Sequence, residues 1–126
     1  MPWYKRIETD EGFRELIARL RKGDHVTHVA GLGDGAKALS VVALSKASGR
    51  RIAYVSLAGS DLEQLESDIR YFNTLLSDNA TDDDVLVLPA IEADPYSGTS
   101  PHAEILERRA LTLWKLSQGL GSIVLM

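Results

Sequence analysis

The alternation of strand-type and helix-type segments constrains the fold of this chain more than any other feature. Short runs of β-branched and apolar residues are separated by longer stretches whose apolar residues recur three and four apart. The predicted strands are Val26–Ala30, Ile52–Leu57, Val85–Leu88 and Ser122–Met126. Because strands joined through helices pair in parallel with right-handed crossovers, the pattern predicts an α/β fold, a three-layer parallel sheet with helices on both faces.

Capping and stop residues mark the ends of the first two predicted helices. Thr9 or Asp10 can cap the first helix, which runs to Lys22 and stops at Gly23. The second helix is predicted over Ala36–Lys46 and ends at Gly49.

Two further helices follow the same logic. Ser60 and Glu63 form a capping box for the third helix, and Ser100 followed by Pro101 starts a fourth that runs to about Ser117. The apolar stripe of the third helix is Leu62, Leu65, Ile69, Phe72 and Leu76. The stripe expected to face inward from the fourth is Ile105, Leu106, Ala110, Leu113 and Leu116.

The turn between the first predicted strand and the second helix is an altered phosphate-binding loop. Its residues are Gly31, Leu32, Gly33, Asp34, Gly35, Ala36, Lys37 and Ala38, against the pattern G-x-x-x-x-G-K-[ST]. Ala36 replaces a glycine that lets the backbone approach a phosphate. Ala38 replaces the hydroxyl that ligates Mg²⁺. The sequence therefore predicts a degenerate, non-functional loop, in which only Lys37 at the helix N-terminus can still meet an anion.

Composition places the chain among soluble, intracellular proteins. It has 126 residues, the length of one domain, and a net charge of −4. It has no cysteine and therefore no disulfide bonds. No signal peptide or membrane-spanning stretch is evident. Acidic residues intersperse the Lys/Arg groups, so no positive field favours nucleic acid.

A distinctive run begins at the third predicted strand. It comprises Leu88, Pro89, Ala90, Ile91, Glu92, Ala93, Asp94, Pro95 and Tyr96, then Ser100, Pro101, His102, Glu104, Ile105, Arg109, Leu113 and Leu116. This run closely resembles the N-terminal, UvrB-like region of bacterial transcription-repair coupling factors, from about Val26 to Met126. Members of that family carry a similarly degenerate loop where the excision-repair helicase UvrB has an intact one.

The resemblance implies a fold of the P-loop helicase (RecA-like) type and a non-catalytic role in DNA repair. In the family this region recruits UvrA, mainly through the domain that follows, and packs against the rest of the protein to restrain it. ATP and Mg²⁺ are used elsewhere in the parent, and RNA polymerase and DNA are contacted by other parts, so no cofactor or metal is expected here. The expected location is the bacterial cytoplasm. Residues 25–126 then form a truncated lobe of a longer protein, and residues 1–24 an N-terminal extension with the first helix.

The connection 89–100 is too short for the long β-hairpin with which UvrB holds DNA, because two prolines and a helix cap already occupy it. Glu92, Pro95 and Tyr96 on this connection are read either as a partner contact or as residues that shape the loop. Arg109 is expected to reach back and pair with Glu92 or Asp94.

Two other functions stay open at this stage. One is a helicase-type ATPase domain with residual ATP binding through Lys37. The other is a DNA-binding module that acts through basic helix edges.

Overall fold

The computed structural model describes residues 1–57, 61–91 and 102–126. Its helices are α1 (Glu11–Lys22), α2 (Asp34–Ser48), α3 (Leu62–Leu76) and α4 (Ala103–Ser117), with 3₁₀ helices over Trp3–Thr9 and Asp82–Asp84. Its strands are β1 (Ile52–Tyr54), β2 (Val85–Val87) and β3 (Ile123–Leu125).

The three strands form one parallel sheet in the order β1-β3-β2. The register places Val124 between Ala53 on one side and Leu86 on the other. The last strand therefore lies in the middle, between two strands that precede it in sequence. The predicted α/β architecture with parallel pairing is confirmed, with each strand shorter than its predicted range.

The predicted strand Val26–Ala30 is wrong. The structure assigns no strand to these residues, and the side chains of Val26 and Val29 are 73% and 55% exposed. A β-type sequence becomes a strand only where a neighbour supplies hydrogen bonds, and the described sheet contains β1, β2 and β3 alone. The residues of Val26–Ala30 favour a strand, but no strand of the described sheet pairs with them.

The main core lies between the sheet and the pair α2 and α3. Its buried side chains are Ala38, Val42, Ile69, Phe72, Val85, Ile123 and Leu125. Alternation along the strands sends Leu86 and Val124 to the opposite face, where both are also buried. There a Cβ built on Gly121 would lie 2.7 Å from Leu86 and 3.5 Å from Leu116, which places α4 against this second face.

The ends of α1 and the C-terminal end of α2 follow the predicted signals, but the predicted starts of α3 and α4 are wrong, because Asp61 and His102 are their N-caps and neither side chain makes a capping hydrogen bond. The carboxylate of Asp10 accepts a hydrogen bond of 2.9 Å from Phe13 N, and Gly23 and Gly49 end α1 and α2 with φ of 84° and 64°. Ser60, Ser100 and Pro101 lie outside the described residues. No helix in the described ranges is both long and apolar enough to span a membrane.

Candidate functional site

The altered phosphate loop is shorter than the motif suggests, because α2 already begins at Asp34 with Gly33 as its N-cap. Lys37 N donates a helical hydrogen bond of 2.9 Å to Gly33 O. The Lys37 ammonium lies 3.8 Å from the Asp34 carboxylate, one turn back. Asp34 thus puts a negative charge at the helix N-terminus, where an anion would have to bind.

Ala36 and Ala38, the two substituted positions, have different surroundings. Ala36 is exposed, whereas Ala38 is fully buried and packs with Val42 in the main core. A hydroxyl at position 38 would therefore point into apolar side chains. Gly31 keeps a φ of 82° that favours glycine, but Gly35 lies inside the helix.

Arg109 contacts the start of the connection that follows β2. Its Nη1 donates a hydrogen bond to the carbonyl oxygen of Pro89. Glu92, Asp94, Pro95 and Tyr96 lie outside the described residues, so the pairing predicted for Arg109 stays a prediction.

Polar side chains of α4 contact β2 and the 3₁₀ helix that precedes it. The Thr112 hydroxyl donates to Val87 O at 2.7 Å, and Lys115 Nζ lies 2.7 Å from Asp83 Oδ1. Thr112 is the buried residue of this helix. The sequence analysis missed Thr112 and Lys115, although their spacing of three from Arg109 and from each other was a signal.

The predicted inward stripe of α4 is therefore wrong in three of its members. Ile105 and Leu116 are half-buried, but Leu106 is 43% exposed, Leu113 is 52% exposed and Ala110 is exposed. The carbonyls of β2 need donors, so Arg109 and Thr112 take the sheet-facing positions and rotate the apolar residues outward. We call the resulting exposed surface the α4 flank; it consists of Leu106, Ala110, Leu113 and Trp114.

A polar pocket of about 480 Å³ lies at the amino ends of the strands. Arg51, at its wall, donates to Gly121 O at 2.8 Å and to Leu120 O at 3.0 Å. Partial burial acts to raise the pKa of the Asp84 carboxyl, but hydrogen bonds from Thr81 and Asn73 and the charge of Lys46 outweigh it and hold that pKa below its ordinary value. The hydrogen bonds of Arg51 stabilise the turn that leads into β3, and those of Asp84 stabilise the turn that leads into β2. We therefore assign both residues a structural role.

The described ranges hold no group of three His, Cys, Asp or Glu side chains arranged to bind a metal ion. Among these residues, the α4 flank and the end of β1 with Val55 expose apolar side chains.

Comparisons of the chain with protein-family models, with curated proteins and with solved structures found no match in any of the three.

Proposed function

We propose that this chain is the first lobe of the UvrB-like region of a bacterial transcription-repair coupling factor. In this proposal it is a non-catalytic scaffold of RecA-like type in the cytoplasm. It supports the recruitment of UvrA, which the following domain contacts, and it packs against the rest of the factor to restrain the downstream ATP-dependent DNA translocase. RNA polymerase, DNA, ATP and Mg²⁺ belong to other parts of the parent protein.

The α4 flank is the observation that carries the scaffold role. Trp114 is 58% exposed and Leu113 is 52% exposed, on the helix that ends the family-like run. Clustered aromatic and aliphatic side chains on a surface are typical of contacts with another protein or domain. An intramolecular or partner contact on this flank would bury them.

The altered loop supports the non-catalytic part of the proposal. Ala38 is buried and carries no ligand atom for Mg²⁺. The Lys37 ammonium already has Asp34 within 3.8 Å. Without a metal ligand and with a carboxylate beside the lysine, phosphoryl transfer has neither charge neutralisation nor a free cation at this loop.

Calorimetry with ATP and Mg²⁺ tests the non-catalytic part. We expect no binding at micromolar ATP, and the same result for Lys37→Ala. Micromolar binding that requires Mg²⁺ and is abolished by Lys37→Ala would support the ATPase alternative instead.

The restraint is tested in the full-length factor with two variants of matched exposure. Leu113→Asp places a charge on the α4 flank, and Leu111→Asp places one outside it; the two side chains are 52% and 53% exposed. We expect Leu113→Asp to raise the basal ATPase rate and Leu111→Asp to leave it unchanged. Equal rates in both variants and the unmodified factor would contradict the restraint.

UvrA recruitment is tested with purified UvrA. A longer chain that continues beyond Met126 into the following domain is expected to retain UvrA, and residues 1–126 alone are not. Tight retention by residues 1–126 would contradict the assignment of the contact to the following domain.

A further inference from the structure

The sheet has two outer edges, because β3 lies between β1 and β2. An unpaired edge presents main-chain N–H and C=O groups that can pair with another strand. We therefore compare the hydrogen-bond partners of the outward main-chain groups on the two edges, because a further strand can pair only where these groups are unoccupied.

On the outer edge of β2, side-chain donors occupy the outward carbonyls. Leu88 N donates to Leu125 O at 2.8 Å, so Leu86 and Leu88 face β3 while the alternate residues face outward. All three outward carbonyls in this stretch have donors. Arg70 Nη2 donates to Val85 O at 2.9 Å, Thr112 Oγ1 to Val87 O at 2.7 Å, and Arg109 Nη1 to Pro89 O.

The outer edge of β1 is open. Ile52 N donates to Ser122 O and Met126 N to Tyr54 O, each at 2.9 Å, so these residues face β3. In this register the main-chain groups of Ala53 and Val55 point away from the sheet. Within residues 1–57, 61–91 and 102–126, no side chain or second strand is hydrogen-bonded to either of them.

The side chains of this edge carry none of the usual protection against pairing. Natural edges are blunted by lysine, proline, bulges or inward charges. The segment Ile52–Leu57 contains no charge and no proline, Val55 is 67% exposed, and Leu57 is 104% exposed. Such a combination resembles an interior strand whose neighbour is absent.

We propose that the outer edge of β1 binds an extended, uncharged, β-branched segment of a partner protein as a fourth strand. Only an extended backbone offers alternating donors and acceptors at the spacing of Ala53 and Val55, so a helix or a small molecule does not fit the site. The apolar side chains of the edge select a segment with apolar side chains of its own. This inference stands on the sheet edge alone and does not depend on the coupling-factor proposal.

The test uses the whole 126-residue chain and a capped peptide of alternating valine and threonine as probe. A matched control peptide has proline in place of every valine, which removes donors from its backbone. Amide hydrogen exchange of individual residues is followed by NMR. At a peptide concentration of about ten times its Kd, the amides of Ala53 and Val55 are expected to exchange about tenfold more slowly. Amides of β2, and all amides with the proline peptide, are expected to stay unchanged.

Two substitutions at one position locate the contact. Val55→Pro removes an outward N–H and is expected to weaken peptide binding by about tenfold, the equivalent of one hydrogen bond. Val55→Lys keeps the N–H but adds a charge to the edge. It replaces the proline variant in the peptide-binding measurement if that variant folds poorly. Leu111→Lys, on a different exposed surface, is the control and is expected to bind the peptide as the unmodified chain does.

Four results would overturn the proposal. One is no protection of Ala53 and Val55, and another is equal protection of the β2 amides. A third is a dimer in sedimentation velocity that protects both amides without peptide, which would make a second copy the occupant. The last is a monomer whose Val26, Val29, Ala53 and Val55 amides are protected without peptide, which would make the chain's own segment the occupant.

Discussion

The two edges of the sheet differ in how their main-chain groups are satisfied. Along β2, each outward carbonyl accepts a hydrogen bond from Arg70, Thr112 or Arg109. Along β1, Ala53 and Val55 have no such donor among the described residues. Side chains of α3 and α4 therefore occupy the outward carbonyls of one edge, whereas the other edge is available for pairing.

Substitution of Arg70, whose side chain occupies part of the outer edge of β2, is expected to give the largest change in stability. Its guanidinium donates to Val85 O and Asp82 O, both at 2.9 Å, and to Glu66. Arg70→Ala should lower the free energy of unfolding by about 2 to 3 kcal/mol, because it removes charge-assisted hydrogen bonds to the backbone. Urea unfolding measures this loss.

The control for Arg70 is Arg19→Ala. Arg19 is hydrogen-bonded and ion-paired to Glu15, and both side chains are at least half exposed. Its removal should change stability by no more than about 0.5 kcal/mol. Equal losses in the two variants would mean that occupation of the outward carbonyls contributes nothing.

Thr112→Val tests the second occupied carbonyl with a smaller expected effect. The substitution keeps the volume but leaves Val87 O without its donor, at a cost of about 1 to 2 kcal/mol. Thr112→Ser should restore most of the loss. Thr74→Val, which removes an exposed hydroxyl bonded within its own helix, should be close to neutral in the same unfolding measurement; a loss as large as that of Thr112→Val would contradict the interpretation.

Asp84 fixes the start of β2 and makes this edge sensitive to acid. Its pKa is lowered in the folded chain, so its contribution is present above the ordinary carboxyl pKa and is lost as pH falls through the folded pKa. Asp84→Asn should be less stable by about 1 kcal/mol at neutral pH. The gap in Tm between the two proteins should close as the pH is lowered below 4, the region of the ordinary Asp pKa of about 3.9.

Asp78→Asn is the control for this titration, since Asp78 is exposed. Its Tm should follow that of the unmodified chain at every pH. A gap for Asp84→Asn that persists in acid would show that the effect is not electrostatic.

The smallest effect is expected at the open edge. Val55→Lys changes an exposed residue outside the core, so the free energy of unfolding should move by no more than about 0.5 kcal/mol. Val55→Thr is the uncharged control. A loss of more than 1 kcal/mol in urea unfolding, well above the usual range of about 0.5 kcal/mol for surface sites, would show that Val55 is packed in the isolated chain and that the edge is not open.

Local signals in the sequence predicted the parts of the fold that local physics decides. The spacing of Leu62, Leu65 and Ile69 gave α3, and Asp10 and Gly23 gave the ends of α1. The segment Val26–Ala30 failed because a strand depends on a partner elsewhere in the chain, which its own residues do not reveal. The orientation of α4 failed for a related reason, since the carbonyls of β2 drew Arg109 and Thr112 inward.

For the candidate site, the sequence predicted that the loop with Lys37 and Ala38 lacks the metal-ligating hydroxyl, and this stays a prediction about its chemistry. It could not show that Ala38 lies in the core, because burial depends on α3 and on β3 far along the chain. The open edge of β1 was equally hidden, since the strand order β1-β3-β2 follows from tertiary packing.

The central place of β3 also determines when the sheet can exist. Every strand pairing in the described sheet has β3 as one member, and β1 and β2 never touch each other through hydrogen bonds. During synthesis, the helices α2 and α3 can meet early, but no ladder can close before Ile123–Leu125 has been made. Until then the apolar strands β1 and β2 have no pairing partner in the sheet, so protection by a chaperone matters most at the end of translation of this region.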